Sequence, residues 1–465
     1  MKKTISTLAF ILSVSCLLAQ GVTGDWYGAL NIQGTSLPLV FHITKNGDVY
    51  STLMDSPKQG AKGFATGVTT VNGNELQIDA ASKGITYTGT FLPDSNKITG
   101  IFKQGAGSFP LSFFRTSSAI TEAPVIRPQD PKDFPYKRED VAFDNPKGGD
   151  RLAGTLTMPS DGKASKIVIL ITGSGPQNRN EELMNHRPFL VWSDWLTRHG
   201  LAILRYDDRG VGQSTGNFQT ATSADFADDA EAAVNYILSR PDLKNLSIGL
   251  MGHSEGGLIA PMVASRNKAV KFIVLLAGPG VPTLQLLVKQ TADQMNGAPA
   301  AAVERSVDRN KKLYGVVVQN PTLSTAQLQQ LIQTTLYDDM RAHPGFGIDS
   351  TNIKGIIIQV CAQLLSPWMR YFLAVDPADY LAKVKCPVLA LDGTLDMQVN
   401  AEANLAGIKA SLEKGGNKNF EVVDLDGLNH LFQKAATGAL AEYGQIQETV
   451  DPVALEKVSA WINKL

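Results

Sequence analysis

Five apolar runs, Ile167 to Ile171, Leu201 to Leu204, Leu246 to Met251, Phe272 to Leu276 and Val388 to Leu391, punctuate the chain, all continuous but the third, which Ser247 interrupts. Segments with helical spacing of apolar residues separate them, including Ala224 to Leu238 and Pro452 to Leu465. A strand that is apolar at every position must be buried on both faces, and strands alternating with helices pair in parallel through right-handed crossovers. The pattern therefore predicts an α/β fold, a mostly parallel sheet with helices on both faces. Between residues 282 and 379 the strand rhythm stops, and helix-like stretches such as Ala300 to Tyr314 and Ser324 to Leu336 replace it. A helical insertion covering the strand ends, as a lid does, is the economical reading. The final helix carries Asp451 as a cap candidate, Pro452 in its first turn, and Val458, Trp461, Ile462 and Leu465 as an apolar stripe.

The region before this sheet has another texture. From Gly24 to about Arg115 short stretches alternate apolar and polar residues, as in Leu37 to Ile43, Ile85 to Phe91 and Ile98 to Phe102. Asn46-Gly47, Asn72-Gly73 and Pro93 to Asn96 separate them as turns, so we expect antiparallel strands forming a small barrel-like domain over 21–118. His42 there reads as a solvent-facing or hydrogen-bonded strand residue. A Pro-rich segment, 119–140, reads as a semi-rigid linker to an α/β domain over 141–465. A chain of 465 residues exceeds what one core usually supports, in keeping with two domains.

The first twenty residues place Lys2 and Lys3 before an apolar run that ends at Ala19 and Gln20, the shape of a cleavable signal peptide. We expect a periplasmic or secreted protein without stable membrane insertion after cleavage. Lipid attachment at Cys16 is the lesser reading, because Ser13 stands where an aliphatic residue is usual. A formal net charge of −1 offers no broad basic surface for nucleic acid. Cys361 and Cys386 have neither metal-ligand spacing nor the density of a disulfide framework, and read as buried free thiols.

The chemistry centres on Gly252-His253-Ser254-Glu255-Gly256, between the run Leu246 to Met251 and a helix-like segment. This is G-x-S-x-G in the strand, turn, helix context that exposes a nucleophilic serine. Ser254 needs a histidine base, and the base needs a carboxylate. His42 lies in the β domain, His186 and His199 precede the nucleophile near a helix, His253 sits inside the turn, and His343 lies in the insertion. His430 remains, in the loop after Phe420 to Leu425. After Val388 to Leu391 come two carboxylates; Asp396 lies far enough out to cross to His430, with Asp392 the second choice and Asp424 and Asp426 weaker. Backbone N–H groups of Glu255 and Ser174, the latter in Thr172-Gly173-Ser174-Gly175-Pro176, are the candidate oxyanion donors, with Gly175 as fallback. No Gly-Lys-Ser/Thr follows that loop, which excludes a phosphate-binding reading.

Thr172 to Pro176, Arg205-Tyr206-Asp207-Asp208-Arg209-Gly210-Val211-Gly212-Gln213-Ser214 and Gly252 to Gly257 together resemble α/β-hydrolases of the EstD-like carboxylesterase branch, which often carries a β-rich N-terminal domain. The resemblance covers Phe143 to Leu465 well and the β domain loosely. It implies Ser254, Asp396 and His430 as a triad, a small-molecule ester as substrate cleaved through an acyl-enzyme, and no cofactor or metal. It also implies a structural role for the Asp-Asp-Arg-Gly loop, and departs from the branch where Asn180 replaces a common acidic residue. A peptidase or thioesterase using the same triad, and a non-catalytic glycan- or lipid-binding protein, are the alternatives.

Overall fold

The structure, a computed structural model, describes residues 21–32, 35–57, 61–80, 84–104, 107–117, 126–343 and 353–465. The leader expected over 1–20 lies outside the described residues. The chain divides into two units, 1–123 and 124–465.

Period-two patterning builds the first unit. Its strands are β1 (Gly24–Ile32), β2 (Thr35–Asn46), β3 (Val49–Ser56), β4 (Ala61–Ala65), β5 (Thr69–Asn72), β6 (Glu75–Ala80), β7 (Ile85–Leu92), β8 (Lys97–Gln104) and β9 (Gly107–Phe114), all antiparallel. Gly47 and Gly73 take φ of 59° and 60° at two of the hairpin turns that the sequence marked. Strand neighbours run β2-β1-β9-β8-β7-β6-β5-β3, and β2 pairs again with β3, closing a barrel with β4 appended to β3. Trp26, Phe41, Tyr87 and Phe113 fill it: Phe41 stacks on Phe113 at 4.3 Å, and Tyr87 meets both edge-on. An eight-stranded barrel is just wide enough to be filled by side chains, so this one is a packed core. His42 bonds Asp25 at 2.7 Å and Asp55 at 3.0 Å, the hydrogen-bonded strand histidine of the sequence reading.

The second unit holds β10 (Lys137–Asn145), β11 (Asp150–Met158), β12 (Lys166–Ile171), β13 (Ala202–Tyr206), β14 (Ser247–His253), β15 (Val270–Leu276), β16 (Val388–Gly393) and β17 (Phe420–Leu425). The sheet order is β10-β11-β13-β12-β14-β15-β16-β17. β13 to β17 run parallel, as the apolar runs predict, while β10 and β11 form an antiparallel margin that the runs did not reveal. The helices are α1 (Pro188–Arg198), α2 (Ser223–Ser239), α3 (Glu255–Ala264), α4 (Thr283–Gln294), α5 (Ala300–Gln319), α6 (Thr325–Ala342), α7 (Ile353–Leu364), α8 (Pro367–Phe372), α9 (Ala378–Leu381), α10 (Ala401–Lys414), α11 (Leu440–Tyr443) and α12 (Pro452–Lys464). Alternate residues of β12 serve two cores. Ile167 and Ile169 pack with Ile237 of α2, Leu258 of α3 and Ile408 of α10, whereas Val168 and Leu170 pack with Trp192 of α1 and Ile462 of α12. The insertion is helical as expected, α4 to α9, with its own core around Leu313, Ile332, Leu336 and Cys361. No helix of the described residues is long and apolar enough to cross a membrane.

Three expectations need correction. Leu465 is exposed, because α12 ends before it, although Asp451 caps Val453 N at 2.9 Å and Val458 and Ile462 are buried. Cys386 is half-buried rather than buried, while Cys361 is buried as read. The segment 119–140 is not a semi-rigid linker throughout. Where it is described, from residue 126, it straps onto the second unit: the buried Arg127 guanidinium donates to the carbonyls of Met184, Asn185, Gly444 and Ile446 at 2.7 to 3.3 Å. Gln129 accepts from Thr449 N and Val450 N and donates to Val450 O. β10 then begins at Lys137. Prolines deny this stretch a ladder of its own, so side chains anchor it. Arg127→Ala leaves buried carbonyls unpaired and should lower unfolding free energy by about 2–4 kcal/mol. Urea unfolding of the full chain checks this; an unmoved midpoint would make the strap dispensable.

Candidate active site

The parallel register pairs Ile171 of β12 with Gly252 of β14, so the loop after β12 and the turn after β14 emerge side by side. At that turn Ser254 takes φ 53° and ψ −118°, a conformation that costs a non-glycine residue on the order of 1–3 kcal/mol. The glycines make it possible. A Cβ on Gly252 would stand 1.9 Å from Gly256 O, and one on Gly256 would stand 2.2 Å from Ile171 O. Ser254 N donates to Leu276 O at 2.8 Å, which ties the strained residue to the neighbouring strand. The side chain is half-buried and thus open to solvent on one side.

β16 and β17 end next to each other, with Asp392 paired to Asp424 and Gly393 to Leu425. The loops that follow are laced by Thr394 N to Leu425 O at 3.0 Å and Leu395 N to Leu428 O at 2.9 Å. This brings His430 Nδ1 to 2.5 Å from Asp396 Oδ2, both side chains being buried. Asp396 Oδ1 accepts from Gln398 N at 2.7 Å and Val399 N at 2.9 Å. Burial alone would raise the Asp396 pKa, but the charge and hydrogen bond of His430 and these N–H donors outweigh it and hold the carboxyl below its usual range. With Nδ1 donating to Asp396, Nε2 is the nitrogen left to accept a proton. The Ser254 hydroxyl makes no hydrogen bond to His430 in this structure; such contacts commonly tighten only with substrate bound.

Ser174 and Glu255 both border this turn. Their N–H groups donate to no protein acceptor among the described residues, whereas Gly173 N is spent on Glu181 Oε1 at 2.7 Å. The Glu255 side chain, which sequence left without a task, is 2% exposed. Its Oε1 accepts from Ser223 Oγ of α2 at 2.5 Å and from Trp368 Nε1 of α8 at 2.8 Å, and the Ser174 side chain is near enough to oppose the rise in the pKa of the same carboxyl. Burial causes that rise, and the three groups together oppose it. One carboxylate thus joins the helical insertion and α2 at the residue following Ser254.

A second link runs through His253, which the sequence reading set aside as part of the turn. His253 Nδ1 faces Glu181 Oε1 at 2.9 Å and Nε2 faces His430 O at 2.9 Å, with the two imidazole rings 4.8 Å apart. Both ring nitrogens therefore meet acceptors, the arrangement that suits an imidazolium. Burial opposes that charge, but Glu181 overcomes it and the His253 pKa is raised. Glu181, Ser223 and Trp368 are the residues that sequence reasoning missed. No local motif marks them; the only hint was that Glu255 and His253 flank Ser254.

The Asp-Asp-Arg-Gly loop ties neighbouring loops together. Asp208 accepts from Thr172 Oγ1 at 2.7 Å and Gln177 N at 2.9 Å, Asp207 pairs with Arg179 at 2.7 Å, and Arg209 pairs with Asp229 at 2.7 Å and Asp150 at 3.2 Å. Asn180, where an acidic residue is common, accepts from the buried Arg205 guanidinium through its amide oxygen. Burial lowers the Arg205 pKa to about 10.

An eight-stranded mixed sheet of this order, with a serine on a strained turn after a central strand, defines an α/β-hydrolase. The chain belongs to the family described as serine aminopeptidase S33, whose model matches residues 189–434, from α1 to the loop after β17. It is similar to the esterase EstD of Thermotoga maritima, 21% identical over 378 residues, which are 81% of this chain and 79% of that one. It is also similar to human acyl-coenzyme A thioesterase 1, 27% identical over 28% of this chain and 27% of that one. Among solved structures, a Pyrococcus furiosus esterase aligns with a TM-score of 0.44 and 18% identity over 73% of this chain and 94% of its own. The family and its esterase members support ester hydrolysis by a serine hydrolase of the carboxylesterase type.

The His253–Glu181 pair carries a pH signature. A raised pKa in the folded state gives stabilisation that is complete below the unfolded value of 6.5 and is lost as pH rises through the folded value. Unfolding free energy measured between about pH 6 and pH 9 should therefore fall with rising pH in the native chain, and Glu181→Gln should flatten that slope. Equal slopes would mean that His253 is neutral.

Proposed function

We propose that this chain is an exported serine carboxylesterase in which Ser254 is the nucleophile, His430 the general base and acid, and Asp396 the carboxylate that orients His430. The observation that carries the reading is the 2.5 Å contact between His430 Nδ1 and Asp396 Oδ2 beside a serine held at φ 53°. Ser254 Oγ attacks the ester carbonyl as its proton passes to His430 Nε2. The developing oxyanion is met by the N–H groups of Ser174 and Glu255, a type of interaction worth roughly 2.7–4 kcal/mol per donor. His430 then gives the proton to the leaving alcohol, and water repeats the cycle to release the acid. The insertion α4 to α9 acts as a lid, and the pattern of residues 1–20 supports secretion to the periplasm or beyond.

A peptidase or thioesterase would use the same groups, and the family description and the thioesterase relative favour keeping both in the comparison. Rates on aryl esters, aminoacyl anilides and acyl thioesters, measured side by side, rank the three. The packed interior of the β barrel argues against ligand capture there as the main function.

Ser254→Ala should reduce turnover of a short-chain aryl ester by a factor of up to roughly a million. A fluorophosphonate should add one covalent adduct at Ser254 of the folded native chain, located by peptide mass spectrometry. Full turnover by the variant, or no adduct, would overturn the assignment.

A further inference from the structure

Asp392, near the end of β16, has a side chain that is 0% exposed. Its Oδ1 accepts the N–H of Gly393 at 2.8 Å, while its buried Oδ2 meets no donor among the described residues. Asp396 is the carboxyl that acts on Asp392 most directly, through its negative charge and as a hydrogen-bonding neighbour. Two carboxyls that interact away from water favour one negative charge between them over two. Asp396 holds the stronger claim to the negative charge, because Gln398 N, Val399 N and His430 Nδ1 all donate to it. Asp392 has one N–H. Burial and the neighbouring Asp396 charge push its pKa well above the carboxylate range. The other titratable groups facing the pair are His430, His253 and Tyr443 of α11, and burial raises the Tyr443 pKa so that it stays a neutral phenol.

On the reading that Ser254, Asp396 and His430 form the catalytic set, we propose that Asp392 is a positioning residue: a neutral carboxylic acid whose Oδ2–H donates to Asp396 and fixes that carboxylate against His430. A fourth donor lowers the basicity of Asp396, so that it remains a carboxylate while His430 gains and loses its proton. It also leaves the site with one buried negative charge in place of two.

Two substitutions in the full chain separate this role from simple packing. Asp392→Asn keeps an acceptor for Gly393 N and an N–H donor for Asp396 without any charge. Asp392→Leu keeps the branched shape with bulkier methyl ends and removes the donor. Aryl-ester kinetics across pH should show kcat for D392N within about threefold of the native value, with the acid limb of kcat/KM in place. D392L should lose about tenfold or more in kcat at little-changed KM, and its acid limb should move to higher pH, because an Asp396 with one donor fewer grips the protonated imidazole more tightly. An acid limb in D392L that coincides with the native one would overturn the proposal. So would a limb in D392N displaced to lower pH, which marks removal of a real negative charge. If D392L does not fold, the limb of D392N decides alone. Fluorophosphonate labelling keeps the two readings apart: failure of the native chain to label at Ser254 overturns the catalytic assignment, whereas labelling in every variant confines the kinetic changes to Asp392.

Discussion

Everything at the candidate site depends on one backbone conformation, the φ of 53° and ψ of −118° at Ser254. A strained residue persists only where its surroundings over-determine it. Here Gly252 and Gly256 let strand β14, helix α3 and the end of β12 approach within distances that a single methyl group would forbid. That approach sets the Ser254 turn against the loop from Thr172 to Pro176, and it places His253 where its ring reaches both Glu181 and the His430 carbonyl. The strain is local. The two cores on either side of the sheet hold it.

Around this turn the protein concentrates buried acids and shifts the pKa of each by the balance between burial and donors. Asp396 collects two backbone N–H groups and an imidazole, and its pKa falls. Glu255 collects Ser223 and Trp368, yet deep burial still raises its pKa. Asp208 takes Thr172 Oγ1 and Gln177 N, and burial lifts its pKa well above the usual carboxylate value. A carboxyl sealed from water is charged only where enough donors replace the lost hydration. Asp208 ties down the loop after β12 while Glu255 is held by α2 and α8, so the geometry of the two candidate oxyanion donors rests on residues from α2, α8 and the loop after β13.

Much of this was legible in the chain, for identifiable reasons. The runs Ile167 to Ile171 and Phe272 to Leu276 declared buried parallel strands, since no half-solvated strand tolerates apolar residues at every position. Period-two alternation declared the barrel strands. Ser254 announced itself because an exposed strand-to-helix serine needs its glycines at fixed offsets, and His430 and Asp396 followed from the loops that must lie at the same sheet edge. The antiparallel margin of β10 and β11 was less visible, because β10 starts inside a Pro-rich stretch that read as linker. Arg127 showed nothing in sequence of the four carbonyls it binds, as those lie 57 to 319 positions away.

Sequence by itself therefore determined the architecture, the candidate nucleophile and a short set of candidate partners, because each is written in local periodicity or in spacing along one turn. It favoured Asp396 over Asp392 on reach alone and gave the Glu255 carboxylate no task. Only the tertiary structure decided these. Which carboxyl meets His430 and which binds a tryptophan 113 residues away depend on what lies within about 3 Å after folding, and no pattern along the chain encodes that distance.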